Sequence, residues 1–154
     1  MNQLTDFIRS RKSQLATPGI DWEARKEAWI RSLELLYSRI EQMLGETIAS
    51  GDVVLRTNTV SVFEEPVGGY PAPQLEVLIG AERVFFRPKG LNVIGASGRV
   101  DLLGEGGTVT LVREESEDQE GWSVILQRTP SLSKTPLNEA SLKLALEKVM
   151  LPLP

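Results

Sequence analysis

Four arginines and an aspartate carry most of the binding chemistry this sequence offers. Arg83 and Arg87 are four residues apart, so on a regular strand they project from one face. Arg99 and Asp101, two apart, do the same on a strand of their own. If the two strands share a sheet, Arg83, Arg87, Arg99 and Asp101 form a face suited to an anionic small molecule or an acidic partner, because guanidinium groups make strong charge-assisted hydrogen bonds. Arg56 and Asn58 alternate onto a face with Val54, Val60 and Val62, where a buried arginine would need a partner. The binding candidates are therefore Arg56, Arg83, Arg87, Arg99 and Asp101. The competing reading, a solvated sheet face with charge pairs of little energetic weight, is the favoured one.

The run Ile94-Gly95-Ala96-Ser97-Gly98 raises a second chemistry, phosphate binding. Its five residues resemble the glycine motif of short-chain dehydrogenases. A dinucleotide fingerprint needs a strand, a glycine turn and then a helix whose N-terminus meets the pyrophosphate. Here Arg99-Val100-Asp101-Leu102-Leu103 alternates as a strand and Gly104 interrupts it, so the helix is missing. No Gly-Lys-Ser or Gly-Lys-Thr ends a phosphate loop either. Gly95–Gly98 and Gly104–Gly107 read as hairpin loops, and no cofactor is expected.

Other chemistries are excluded by absence. The 154 residues include no cysteine and no histidine. That removes disulfides, thiolate nucleophiles, the commonest general base and the commonest metal ligands. Paired carboxylates can work without histidine, but no pattern singles out a pair, so no catalytic residues and no metal site are assigned. The acidic run Glu114-Glu115-Ser116-Glu117-Asp118-Gln119-Glu120 lacks the alternating ligands and central glycine of a calcium loop and reads as a solvated hairpin loop. A net charge of −4 speaks against nucleic acid as a partner. No apolar run reaches the ~18 residues of a membrane span, and no leader is apparent at the N-terminus. A soluble, cytoplasmic protein is the expectation.

The elements that must position these residues fall into three zones of one domain. The first, 3–45, is helical. Leu4, Phe7, Ile8 and Leu15 space a short amphipathic helix over 3–15. Asp21 is the expected N-cap of a long helix, with Glu23 in its first turn and Gly45 or Gly51 at its end. The second zone, 53–128, is an antiparallel meander of five to seven strands, expected at 53–63, 75–79, 83–87, 91–94, 99–103, 108–113 and 122–127. The apolar phase slips between Leu55 and Val60, which suggests a bulge or a bend, and 66–73 reads as a loop. In the third zone Thr135-Pro136 is expected to start a closing helix over 136–150. It is apolar nearly all round and so expected to be well buried against the sheet. The fold class is α+β.

Within the long helix Trp22, Trp29, Leu36 and Met43 recur every seven residues, with Leu33 and Ile40 between. Such a stripe serves as a core face or as an interface seam, so these four are the interface candidates. Together these readings favour a non-catalytic protein-interaction or regulatory domain that self-associates. The alternative is an anion-binding protein with an arginine-lined pocket between sheet and helix. An enzyme built from Asp, Glu, Lys and Arg alone is the third reading.

Overall fold

Short alternating segments from Val53 onward become seven strands, and their order in space is their order in sequence. The computed structural model describes residues 3–15, 22–65, 68–91, 98–116, 119–127 and 131–152. Three helices come first: α1 (Gln3–Leu15), α2 (Trp22–Met43) and the short α3 (Gly45–Ala49). The strands are β1 (Val53–Glu64), β2 (Gly68–Ile79), β3 (Glu82–Gly90), β4 (Arg99–Gly104), β5 (Gly107–Ser116), β6 (Gln119–Gln127) and β7 (Ser133–Pro136), and α4 (Glu139–Val149) follows. Every strand pairs antiparallel with the next. The architecture is α+β around an antiparallel meander. No described helix is long and apolar enough to cross a membrane.

Side chains alternate along a strand, so the register assigns each one a face. Leu75, Val77, Val84, Phe86, Val100, Leu102, Leu111 and Val124 share one face and are all buried. Helix α2 covers it with Trp29, Leu33, Leu36, Tyr37 and Ile40, and α4 with Leu142, Ala145 and Val149. The rings of Trp29 and Trp122 lie 6.0 Å apart. Each large apolar side chain buried in this layer contributes about 1.5–3 kcal/mol, so the contact between helices and sheet dominates the stability of the fold.

The β1–β2 hairpin outruns β3. Pairing of β2 with β3 stops at Leu75–Phe86. Beyond it Pro71 and Pro73 have no N–H to give a third strand. The Tyr37 hydroxyl sits where the two strands part, 2.8 Å from the Pro73 carbonyl and 3.1 Å from that of Phe86. Burial pushes this phenol well above its ordinary value of about 10. The free arm of the hairpin buries its even-numbered side, Val62, Glu64, Tyr70 and Ala72, whereas the inner half buries the odd-numbered Val53, Leu75 and Val77. Of the bulge or bend expected between Leu55 and Val60, the bulge is absent, because the register runs unbroken from Val53–Ile79 to Glu64–Gly68. Two-stranded ribbons twist more strongly than wider sheets. Twist of this arm therefore produces the slip in apolar phase.

Other expectations need correction. Residues 68–73 belong to β2 and not to a loop, because pairing with β1 outweighs a Gly/Pro-rich composition. Thr135 and Pro136 lie on β7. The N-cap of α4 is Asn138, whose side chain accepts from the Ser141 N–H while the Ser141 hydroxyl accepts from the Asn138 N–H, a reciprocal capping box. Helix α4 is not buried all round, since Leu144 is 44% exposed. Helix α2 ends at Met43, and Gly51 (φ +84°) follows α3. The acidic run belongs largely to the ends of β5 and β6, which reach Ser116 and resume at Gln119. Of the strand expected at 91–94, Leu91 is a bend beyond β3, and residues 92–94, like Asp21 and the turn residues 95–97, lie outside the described residues.

Three glycines of the two expected turns serve close packing. A Cβ on Gly98 would stand 2.3 Å from the Trp29 ring. Cβ atoms on Gly104 and Gly106 would stand 2.3 and 2.2 Å from the carbonyl oxygens of Val149 and Met150, and the Gly106 N–H donates to Val149 O at 2.7 Å. The second turn therefore grips the C-terminus of α4.

Candidate functional site

Helix α4 has more apolar surface than the sheet can cover, and its three stripes explain the surplus. Ser141, Ala145 and Val149 repeat every four residues and are buried. Leu142, Leu146 and Met150 form the adjacent stripe, and Glu139, Lys143 and Glu147 the next. Leu142 is buried like the first stripe, but Leu146 and Met150 remain half-buried. Their stripe forms one wall of a groove of about 670 Å³. The opposite wall is Met43 at the end of α2 with Leu44 just beyond it, and the chain after α4 adds Leu151 and Pro152. Half-covered apolar side chains gathered in one groove are a more specific feature than single exposed apolar residues, which are ordinary on a folded surface.

The rim of the groove is acidic. Glu139 and Glu147 on α4 and Glu82 at the start of β3 outnumber one lysine, Lys143. Lys143 and Glu147 form a 2.9 Å ion pair along the helix, and the glutamate raises the lysine above its ordinary value. Glu82 accepts from the Leu151 N–H at 3.1 Å, which fixes the tail against the groove. The Arg39 guanidinium donates to Leu137 O and ties α2 to the chain entering α4. An apolar floor with an acidic edge and no nucleophile has the chemistry of a binding surface for an amphipathic, basic element.

The arginine face lies elsewhere. Arg56, Arg83, Arg87, Arg99 and Asp101 all project from the sheet face opposite the helices. Asp101 is buried and accepts from Arg99 Nε at 2.9 Å, Arg99 Nη2 at 3.2 Å and the Thr110 hydroxyl at 3.3 Å. Arg87 is its cross-strand neighbour and is exposed. Glu76, also buried, accepts from Asn58 Nδ2 at 3.2 Å and lies 3.7 Å from Arg83 Nε. Arg56 stands opposite Glu76 and is exposed. Buried carboxylates are thus interleaved among the arginines, which lowers the positive potential an anion would meet. Arg83 also lines a hollow of about 500 Å³ with Phe85, Leu103 and Glu105.

Of the four interface candidates, Trp29 and Leu36 are at most 1% exposed and belong to the core. Trp22 is half-buried, with the Arg25 guanidinium 5.1 Å above its ring. Met43 lines the groove. The sequence reading had no role for Leu142, Leu146 and Met150 beyond core packing. The available signal was a second apolar stripe on α4 next to the one that meets the sheet.

A second polar cluster lies beneath the hairpin arm. The Glu64 carboxylate accepts from Tyr70 OH at 2.6 Å and from Leu91 N–H at 2.9 Å. Burial, reinforced by Glu64, pushes the Tyr70 hydroxyl well above its ordinary value. The buried Trp29 indole N–H faces the Tyr70 hydroxyl and partly opposes that rise. Arg113 is a buried arginine, cross-strand from Trp122 on the helix side. Among known proteins, no family model, no curated protein and no solved structure matches this chain.

Proposed function

We propose that this chain is a non-catalytic interaction domain that self-associates through the groove between α2 and α4. One observation carries the reading: half-buried Met43, Leu44, Leu146 and Met150 converge on a single acid-rimmed groove. Leaving that much apolar surface in water costs roughly 25 cal/mol per Å², and a partner that covers it recovers the loss. The arginine face supports the alternative, an anionic ligand, less well, because Glu76 and Asp101 already engage Asn58, Arg83 and Arg99.

Sedimentation of the intact chain across a concentration series tests the proposal. Wild type is expected to shift from 17.0 kDa toward a dimer, and Leu146→Glu to remain monomeric with its circular dichroism unchanged. Leu151→Glu, beyond the helix and 47% exposed, repeats the test where folding is not at stake. A wild type that stays monomeric throughout, or groove variants that associate as wild type does, would overturn it.

A further inference from the structure

We infer that the element filling the groove is α1 of a second copy of this chain. The inference rests on the groove being the contact surface, and it adds the identity of the occupant.

The side chains of Phe7 and Ile8 are 61% and 55% exposed. A 13-residue helix is marginal in water on its own, since most helical stability comes from packing an apolar face. Helical spacing places Arg11 on the same stripe, four residues from Phe7 and three from Ile8. A guanidinium in the middle of an apolar stripe is ill suited to the core of a sheet, where an unpaired charge is costly. It suits a groove with Glu139 and Glu147 on its rim. Residues 3–15 carry Asp6 against Arg9, Arg11 and Lys12, net +2. The groove carries three glutamates against Lys143, net −2. Lengths agree as well: at 1.5 Å per residue α1 is ~20 Å long and α4 ~16 Å.

Chain length favours a second copy over the chain's own groove. Trp22 and Met43 stand at opposite ends of α2, ~32 Å apart. From Leu15 to Trp22 the chain spans at most ~25 Å. To seat Ile8 beside Met43 of the same chain, that connection would be stretched nearly to its limit. A second copy meets no such restriction, and two copies exchanging α1 fill both grooves.

The test uses full-length chains. One carries Phe7→Ser with Ile8→Ser, the other Leu146→Glu. Each alone is expected to sediment as a monomer, and an equimolar mixture to form a heterodimer, because one intact α1 and one intact groove remain between them. If Leu146→Glu is monomeric while the α1 double variant still dimerises, the groove remains the interface and α1 is not its occupant. If Leu146→Glu dimerises as wild type does, the groove reading falls and this inference falls with it. If the mixture stays monomeric although wild type dimerises, the exchange is refuted.

Discussion

The ring of Trp29 rests on the bare α-carbon of Gly98, so close that a Cβ there would stand 2.3 Å from ring carbon Cζ3. Gly98 is the last residue of a glycine run that invites a phosphate-binding reading, and its place in the fold is to admit the central tryptophan of α2. Gly98→Ala should therefore act as overpacking, at a cost of about 1–3 kcal/mol. Thermal unfolding should show a clearly lowered Tm, and the near-ultraviolet circular dichroism of the tryptophans should change. An unchanged Tm would mean that the ring has room to retreat.

The start of α4 separates two expectations. Thr135-Pro136 looks like a helix start in sequence, but Asn138 makes the capping box with Ser141. Replacing Asn138 by alanine should cost about 1 kcal/mol, and Thr135→Ala distinctly less, since Thr135 is a strand residue paired with Val124. Urea unfolding of the two variants decides it, and the reverse order would place the cap at Thr135.

The two tyrosines make the alkaline limb of stability readable. Both hydroxyls are held well above their ordinary value of about 10, Tyr37 by burial and Tyr70 by burial and Glu64. A phenol with a raised value in the folded state binds a proton that the unfolded chain has released. Its stabilising contribution is complete below pH ~10 and declines as pH rises above it, by about 1.4 kcal/mol per pH unit for each group. Tyrosinate absorbance should therefore stay low at about pH 11 while the fold persists, and appear together with unfolding. Titration of either tyrosine near pH 10 in the folded protein would contradict these environments.

The meander was legible in the sequence because short alternating segments separated by glycines leave few other arrangements, and α2 because its apolar stripe runs over many turns. The hairpin arm was not. Gly68, Gly69, Pro71 and Pro73 have the composition of a loop, and only cross-strand pairing to Phe63, Glu64, Thr59 and Ser61 makes them strand. Alternation groups Arg83 with Arg87 and Arg99 with Asp101, but only the cross-strand pairing of Arg87 with Asp101 joins the two pairs on one face. The buried state of Asp101 was not legible, since it depends on Thr110 and Arg99 closing around it. The groove is not legible in the sequence for a related reason. An all-round apolar helix looks like a core helix until one knows how much of it the sheet covers.

The absence of cysteine allows the most direct measurement. One chain carrying Ile8→Cys is mixed with another carrying Leu146→Cys under mild oxidation. If α1 of one copy lies in the groove of the other, the main product is a disulfide-linked heterodimer at twice 17.0 kDa, formed faster than either symmetric dimer. Slow, statistical formation of all three cross-linked species, or none, would contradict an interface between α1 and the groove.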